Sequence, residues 1–135
     1  MQLATFTFQR STGWSCAFPT LDSENTLVLV FGDPSYGADS RPFSELRQAF
    51  PTAHFMGCST SGEIHGAALW EGSLSVAVAK FERSGLRPAF THVGAATESH
   101  RAGREIAEQL CHEDLRAVFV LSDGLLVNGS QLVRG

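Results

Sequence analysis

The run Thr26-Leu27-Val28-Leu29-Val30-Phe31 decides how this chain is read. Its β-branched, leucine and phenylalanine residues follow one another without a charge, as a strand buried on both faces requires. Gly32-Asp33-Pro34 ends the run, because proline lacks an amide donor and fixes φ. Ser40 and Pro42 then open a helix, proline being tolerated in a first turn whose amides have no partner anyway. Phe43, Leu46 and Phe50 fall at i, i+3 and i+7, which puts them on one apolar face, and Pro51 closes the helix. His54 to Cys58 (HFMGC) reads as a short second strand that runs straight into the loop Ser59-Thr60-Ser61-Gly62-Glu63.

Upstream, Leu3 to Gln9 alternates, with Ala4, Phe6 and Phe8 on one face, and predicts a half-buried strand. Ser11 to Glu24 is rich in Ser, Thr, Gly and Pro and reads as connection, with a short helix expected at Phe18-Pro19. Downstream, Ser73 to Phe81 alternates with Leu74, Val76 and Val78 on one face. Arg83-Ser84-Gly85 predicts a turn and Leu86 to Val93 a return strand, giving an antiparallel hairpin. Thr97 is the expected N-cap of a helix whose face carries Ala102, Ile106 and Leu110. Ala117 to Leu121 (AVFVL) predicts a further fully buried strand, ended by Ser122-Asp123-Gly124. Asn128 or Ser130 would cap a last helix through Leu132 and Val133.

These elements predict an α/β fold, a mixed β-sheet layered with helices, with residues 1–135 as one domain. A helix starting so close to Gly135 lacks the roughly three turns that make a helix worth forming. The chain therefore reads as the incomplete, N-terminal part of a larger module, and self-association into a homo-oligomer is expected in place of the absent part.

Composition excludes several functions. The net charge is -4, and the nine Arg and one Lys are scattered, so no basic stripe exists to hold nucleic acid. The N-terminus MQLATFTFQR alternates like a strand and does not read as a signal peptide. No apolar run approaches the ~20 residues of a membrane helix, so a cytoplasmic location is expected. Cys16, Cys58 and Cys111 are far apart and odd in number, which argues against a disulfide framework. Cys58 and Cys111 are expected to be buried, reduced thiols.

Two segments combine strand ends with polar loops. Gly57-Cys58-Ser59-Thr60-Ser61-Gly62-Glu63-Ile64 offers backbone amides and hydroxyls where open α/β sheets bind ligands. The same hydroxyls would equally satisfy the backbone of a tight loop. Neither GxxxxGK[ST] nor GxGxxG is present, so it is no nucleotide loop. Ser122 to Ser130 again follows a predicted buried strand; Asp123 could accept hydrogen bonds there, while Asn128 and Ser130 read better as helix caps. The candidate ligand-binding residues are Cys58, Ser59, Thr60, Ser61, Gly62 and Glu63, with Asp123, Gly124 and Asn128.

Catalysis has little support. Cys58 with His65 or His54 lacks the surroundings of any nucleophilic cysteine signature, and GxSxG is absent. The five histidines form no HxxxH or HxH pair, which leaves no zinc pattern. One histidine could serve as an axial haem ligand, and His65 and His92 are the candidates.

Gly57 to Ile64 and Asp123 to Leu132 resemble the FIST domain (F-box and intracellular signal transduction), in which a GCST-small-GEI loop is followed later by DG and an N-G-S/T-x-L segment. The resemblance spans most of the chain and includes the strand at Thr26 to Gly32. It implies a non-catalytic bacterial sensory domain that binds a small molecule such as an amino acid and passes the signal to a histidine kinase or another output protein. It also implies a longer module, and in some members an association with haem and nitric oxide sensing. The rival to both ligand readings is a structural or interaction remnant whose loops merely hold turns.

Overall fold

A computed structural model describes residues 1–135 and shows an α/β fold with a mixed sheet and three α-helices. The chain divides into two compact units, Met1–Leu86 and Arg87–Gly135.

In the first unit, β1 (Gln2–Gln9), β2 (Gly13–Trp14), β3 (Thr26–Gly32), β4 (His54–Ser59) and β7 (Ser73–Lys80) form one sheet in the order β2-β1-β7-β3-β4. The alternation read in β1 and β7 has its physical counterpart in their antiparallel register, Phe6↔Val76 and Phe8↔Leu74. β7 also pairs antiparallel with β3, through Val28↔Val78 and Val30↔Val76. These residues share one face, and each is at most 9% exposed. Helix α1 (Arg41–Ala49) covers that face with Leu46, and Phe50 and Tyr36 complete the core. Burying each such apolar side chain is worth about 1.5–3 kcal/mol. Trp14 and Phe18 stack against Phe6, tying the connection after β1 to the core.

Thr26-to-Phe31 is covered on one face only. Thr26, Val28 and Val30 are buried, whereas Leu27, Leu29 and Phe31 are half-buried. Phe18-Pro19 forms no helix. An antiparallel hairpin, β5 (Glu63–His65) with β6 (Ala68–Trp70), lies where no strand was expected. Its two-residue loop begins at Gly66, whose φ of 61° suits the first central position of a type II′ turn.

Leu86 to Val93 is not a strand. β7 already has β1 on one side and β3 on the other, so no edge remains for a return strand. The hairpin reading failed because the antiparallel partner of β7 comes from the far N-terminus.

The second unit holds α2 (Ser99–Leu110) and α3 (Gly129–Arg134). They pack closely: a Cβ at Gly103 would collide with the Leu132 carbonyl. Ala102 and Leu110 are buried and Ile106 half-buried, as the spacing predicts. Thr97 is not the cap, because a 3-10 turn at Ala96–Glu98 precedes α2 and moves its start to Ser99. Ala117 to Leu121 is neither strand nor buried: Val118, Phe119 and Val120 are 47%, 55% and 50% exposed. Strand preference acts through cross-strand neighbours, and this segment has none. Cys58 and Cys111 are exposed as well, Cys58 on the edge strand and Cys111 just past α2. No helix is long and apolar enough to cross a membrane.

Candidate functional site

β3 and β4 run parallel from Leu27↔His54 to Gly32↔Ser59, so their carboxyl ends lie side by side. Ligands of open α/β sheets collect beyond such ends. A cavity of about 420 Å³ opens there, within the first unit. That volume falls inside the roughly 300–1,000 Å³ of small-molecule sites.

Glycine makes the approach of these strands close. A Cβ at Gly57 would land on the Val30 carbonyl, and one at Gly32 on the Leu74 side chain. Tyr36, Phe43 and Phe55 give the cavity aromatic walls. The Tyr36 hydroxyl donates to the Gly72 carbonyl at 3.1 Å, and burial of the residue raises its pKa.

Two opposite charges line the same cavity. Asp33 caps the 3-10 turn Pro34–Ala38, accepting the Ser35 amide at 2.8 Å. The Ser35 hydroxyl and amide hold its pKa below the ordinary aspartate value, with the Arg10 charge adding to them. Arg47 stands in the last turn of α1, where a cation suits the helix dipole. Its guanidinium lies 5.4 Å from the Phe55 ring centre and joins none of the protein's ion pairs. The cavity thus brings an anionic residue, a cationic residue, Cys58 and Ser59 to aromatic walls.

The glycine-serine loop divides at this point. Cys58 and Ser59 line the cavity; Thr60, Ser61, Gly62 and Glu63 do not. Thr60 donates its amide to the Gly32 carbonyl at 2.9 Å and its hydroxyl to Glu63 at 2.6 Å. The other Glu63 oxygen accepts the Ser73 amide at 3.1 Å and hydroxyl at 2.8 Å. Glu63 is 1% exposed and Ser73 is fully buried. A buried carboxylate needs such donors, and these join the end of β4 to the starts of β5 and β7. Ser61 is exposed, and Gly62 sits against the Leu69 side chain.

Asp123, Gly124 and Asn128 belong to the second unit. One Asp123 oxygen accepts the Leu125 and Leu126 amides, both at 2.7 Å, and these bonds lower its pKa. Gly124 lies within that turn. Asn128 caps α3, accepting the Gln131 amide at 3.1 Å, as the capping reading requires. His65 is half-buried in β5 and His92 is exposed outside any regular element. Neither lines the cavity. No three His, Cys, Asp or Glu side chains are grouped to hold a metal ion.

Asp33 was legible as the stop after a buried strand, but nothing in the sequence marked Arg47 or the three aromatic rings as its neighbours.

The FIST N domain model matches residues 26–135. This chain belongs to the FIST N family. The match starts at the first residue of β3, so β1 and β2 lie outside it. FIST domains are sensory domains of signal transduction. No curated protein and no solved structure matches the chain.

Proposed function

We propose that this FIST N domain is a non-catalytic input domain that binds a zwitterionic small molecule, an amino acid or a close analogue, in the cavity at the ends of β3 and β4. The observation that carries the reading is that Arg47 and Asp33 line one cavity together with aromatic rings. A guanidinium holds a carboxylate through charge-assisted hydrogen bonds. A carboxylate whose pKa is depressed stays ionised and receives an ammonium group. Tyr36, Phe43 and Phe55 would pack an apolar side chain between them. Ser59 would add a hydroxyl contact. In this reading the domain works in the bacterial cytoplasm and hands its ligand state to a histidine kinase or another output protein. Family membership supports that sensory role.

Thermal unfolding in the presence of single amino acids tests the proposal. Ligand at about 100 times its Kd stabilises the protein by about 2.7 kcal/mol. Arg47→Ala should abolish that shift and leave unliganded stability within about 0.5 kcal/mol, since Arg47 is exposed. A shift that survives Arg47→Ala sinks the assignment of this cavity.

A further inference from the structure

The geometry points to Arg10 as the residue that positions one wall of the cavity, gripping the 3-10 turn Pro34–Ala38 so that Asp33 and Tyr36 keep their places there. The grip itself is a property of the fold; its effect on binding rests on the amino-acid reading of the cavity. Asp33, Pro34, Tyr36 and Gly37 all line the cavity from this turn. The Tyr36 amide donates to the Asp33 carbonyl at 3.1 Å and the Asp39 amide to the Tyr36 carbonyl at 3.0 Å. Hydrogen bonds of 3-10 geometry are weaker than those of an α-helix, so a turn this short needs support from outside. On one side the start of β7 gives it. The Asp33 amide donates to the Ser73 carbonyl, and the Tyr36 hydroxyl to the Gly72 carbonyl, each at 3.1 Å.

On the other side stands Arg10, which meets the turn at three points. Its guanidinium lies 4.1 Å from the Tyr36 ring centre, donates to the Ser35 hydroxyl at 3.0 Å and stands 3.8 Å from an Asp39 carboxylate oxygen. Ser35 in turn donates its amide to Asp33, so the grip reaches the carboxylate of the cavity through one residue. A planar fork can meet a hydroxyl, a carboxylate and a ring face at once, which a lysine ammonium does not. Arg10 follows Phe8 by two residues, the spacing that keeps side chains on one face of a strand. Phe8 is buried edge-on against the same Tyr36 ring, with 5.9 Å between centres. Tyr36 is thereby fixed by a cation, an aromatic edge and a carbonyl. Arg10 is itself partly exposed and does not line the cavity, so it acts through the turn and not by touching what binds there. It also precedes Thr26 and so comes from outside the stretch that the family model covers.

Hydrogen exchange and titration calorimetry of wild type, Arg10→Ala and Arg10→Lys test this, with L-leucine, L-methionine and L-phenylalanine as probes. In Arg10→Ala the Tyr36 and Asp39 amides should exchange about tenfold faster, while the amides of β3 and β7 keep their protection. A general loss of stability would speed all of them together. The Kd of each probe that binds wild type should rise about tenfold. Arg10→Lys should recover part of both effects, because its cation can still lie over the ring. Unchanged exchange at Tyr36 and Asp39, or an unchanged Kd, overturns the positioning role. A wild type that binds none of the three probes counts against the amino-acid reading instead, and exchange at Tyr36 and Asp39 then decides Arg10 by itself.

Discussion

The loop after β4 and the loop after Ala117–Leu121 look alike in sequence and are held in opposite ways. Each sets glycine and small polar residues around one acid, Glu63 in the first and Asp123 in the second. Glu63 is buried and serves donors from Thr60 nearby and from Ser73 ten residues away. Asp123 is exposed and serves only the amides two and three residues ahead. The difference teaches that a polar loop takes its role from whether a sheet brings a distant strand to it. Where β7 arrives, the acid becomes an internal fastening. Where no strand arrives, it is a surface turn.

The comparison breaks most visibly at Glu63. Glu63→Ala leaves the Ser73 amide and hydroxyl buried without an acceptor, at about 1–3 kcal/mol for each unsatisfied group. Urea unfolding should show a loss of about 3 kcal/mol at unchanged m. A loss under about 0.5 kcal/mol would mean that water replaces the carboxylate and that the fastening is not structural.

A smaller effect is expected at Asn128, whose bond to Gln131 is local and exposed. Asn128→Ala should cost about 1 kcal/mol and show itself as faster exchange of the Gln131 amide. Amides of β3 and β7 should keep their protection, and their loss would show that the cap acts beyond its own helix.

The smallest effect is expected from protonating Asp123. Its folded pKa lies below the unfolded value, so its contribution is complete above the unfolded pKa and is lost as pH falls through the folded one. The Leu125 and Leu126 amide resonances should therefore move together below the ordinary aspartate range, and Asp123→Asn should remove that step. Resonances that stay fixed to strong acid would show that the turn holds without the charge.

Much of the fold was legible because it is periodic. Phe6 and Phe8 at period two, and Leu46 beside Phe50, announced their faces, and Leu74, Val76 and Val78 did the same. That Cys58 and Ser59 stand at a strand's carboxyl end was legible because a strand end is a local feature, and the cavity they line lies there. Thr60 and Glu63 stood among the candidate loop residues, but neither their bond to each other nor their partner Ser73 was legible, because hydroxyls are common and only the β7 register selects one of them. Arg47 was hidden for a similar reason. An exposed arginine in a last helical turn looks like any other until the strand carrying Phe55 lies beneath it.

What the sequence determined by itself was therefore local: which segments are extended or helical, which of their faces are apolar, where proline and glycine stop them, and the FIST pattern around Gly57 and Asp123. What only the tertiary structure decided was pairing. It joined β7 to β1 and β3 and denied Leu86 to Val93 a partner. It made Glu63 internal and left Ala117 to Leu121 outside every sheet. The physical reason is that side-chain periodicity follows from backbone geometry within one segment, whereas a backbone hydrogen bond between strands needs a partner whose distance along the chain no local pattern records.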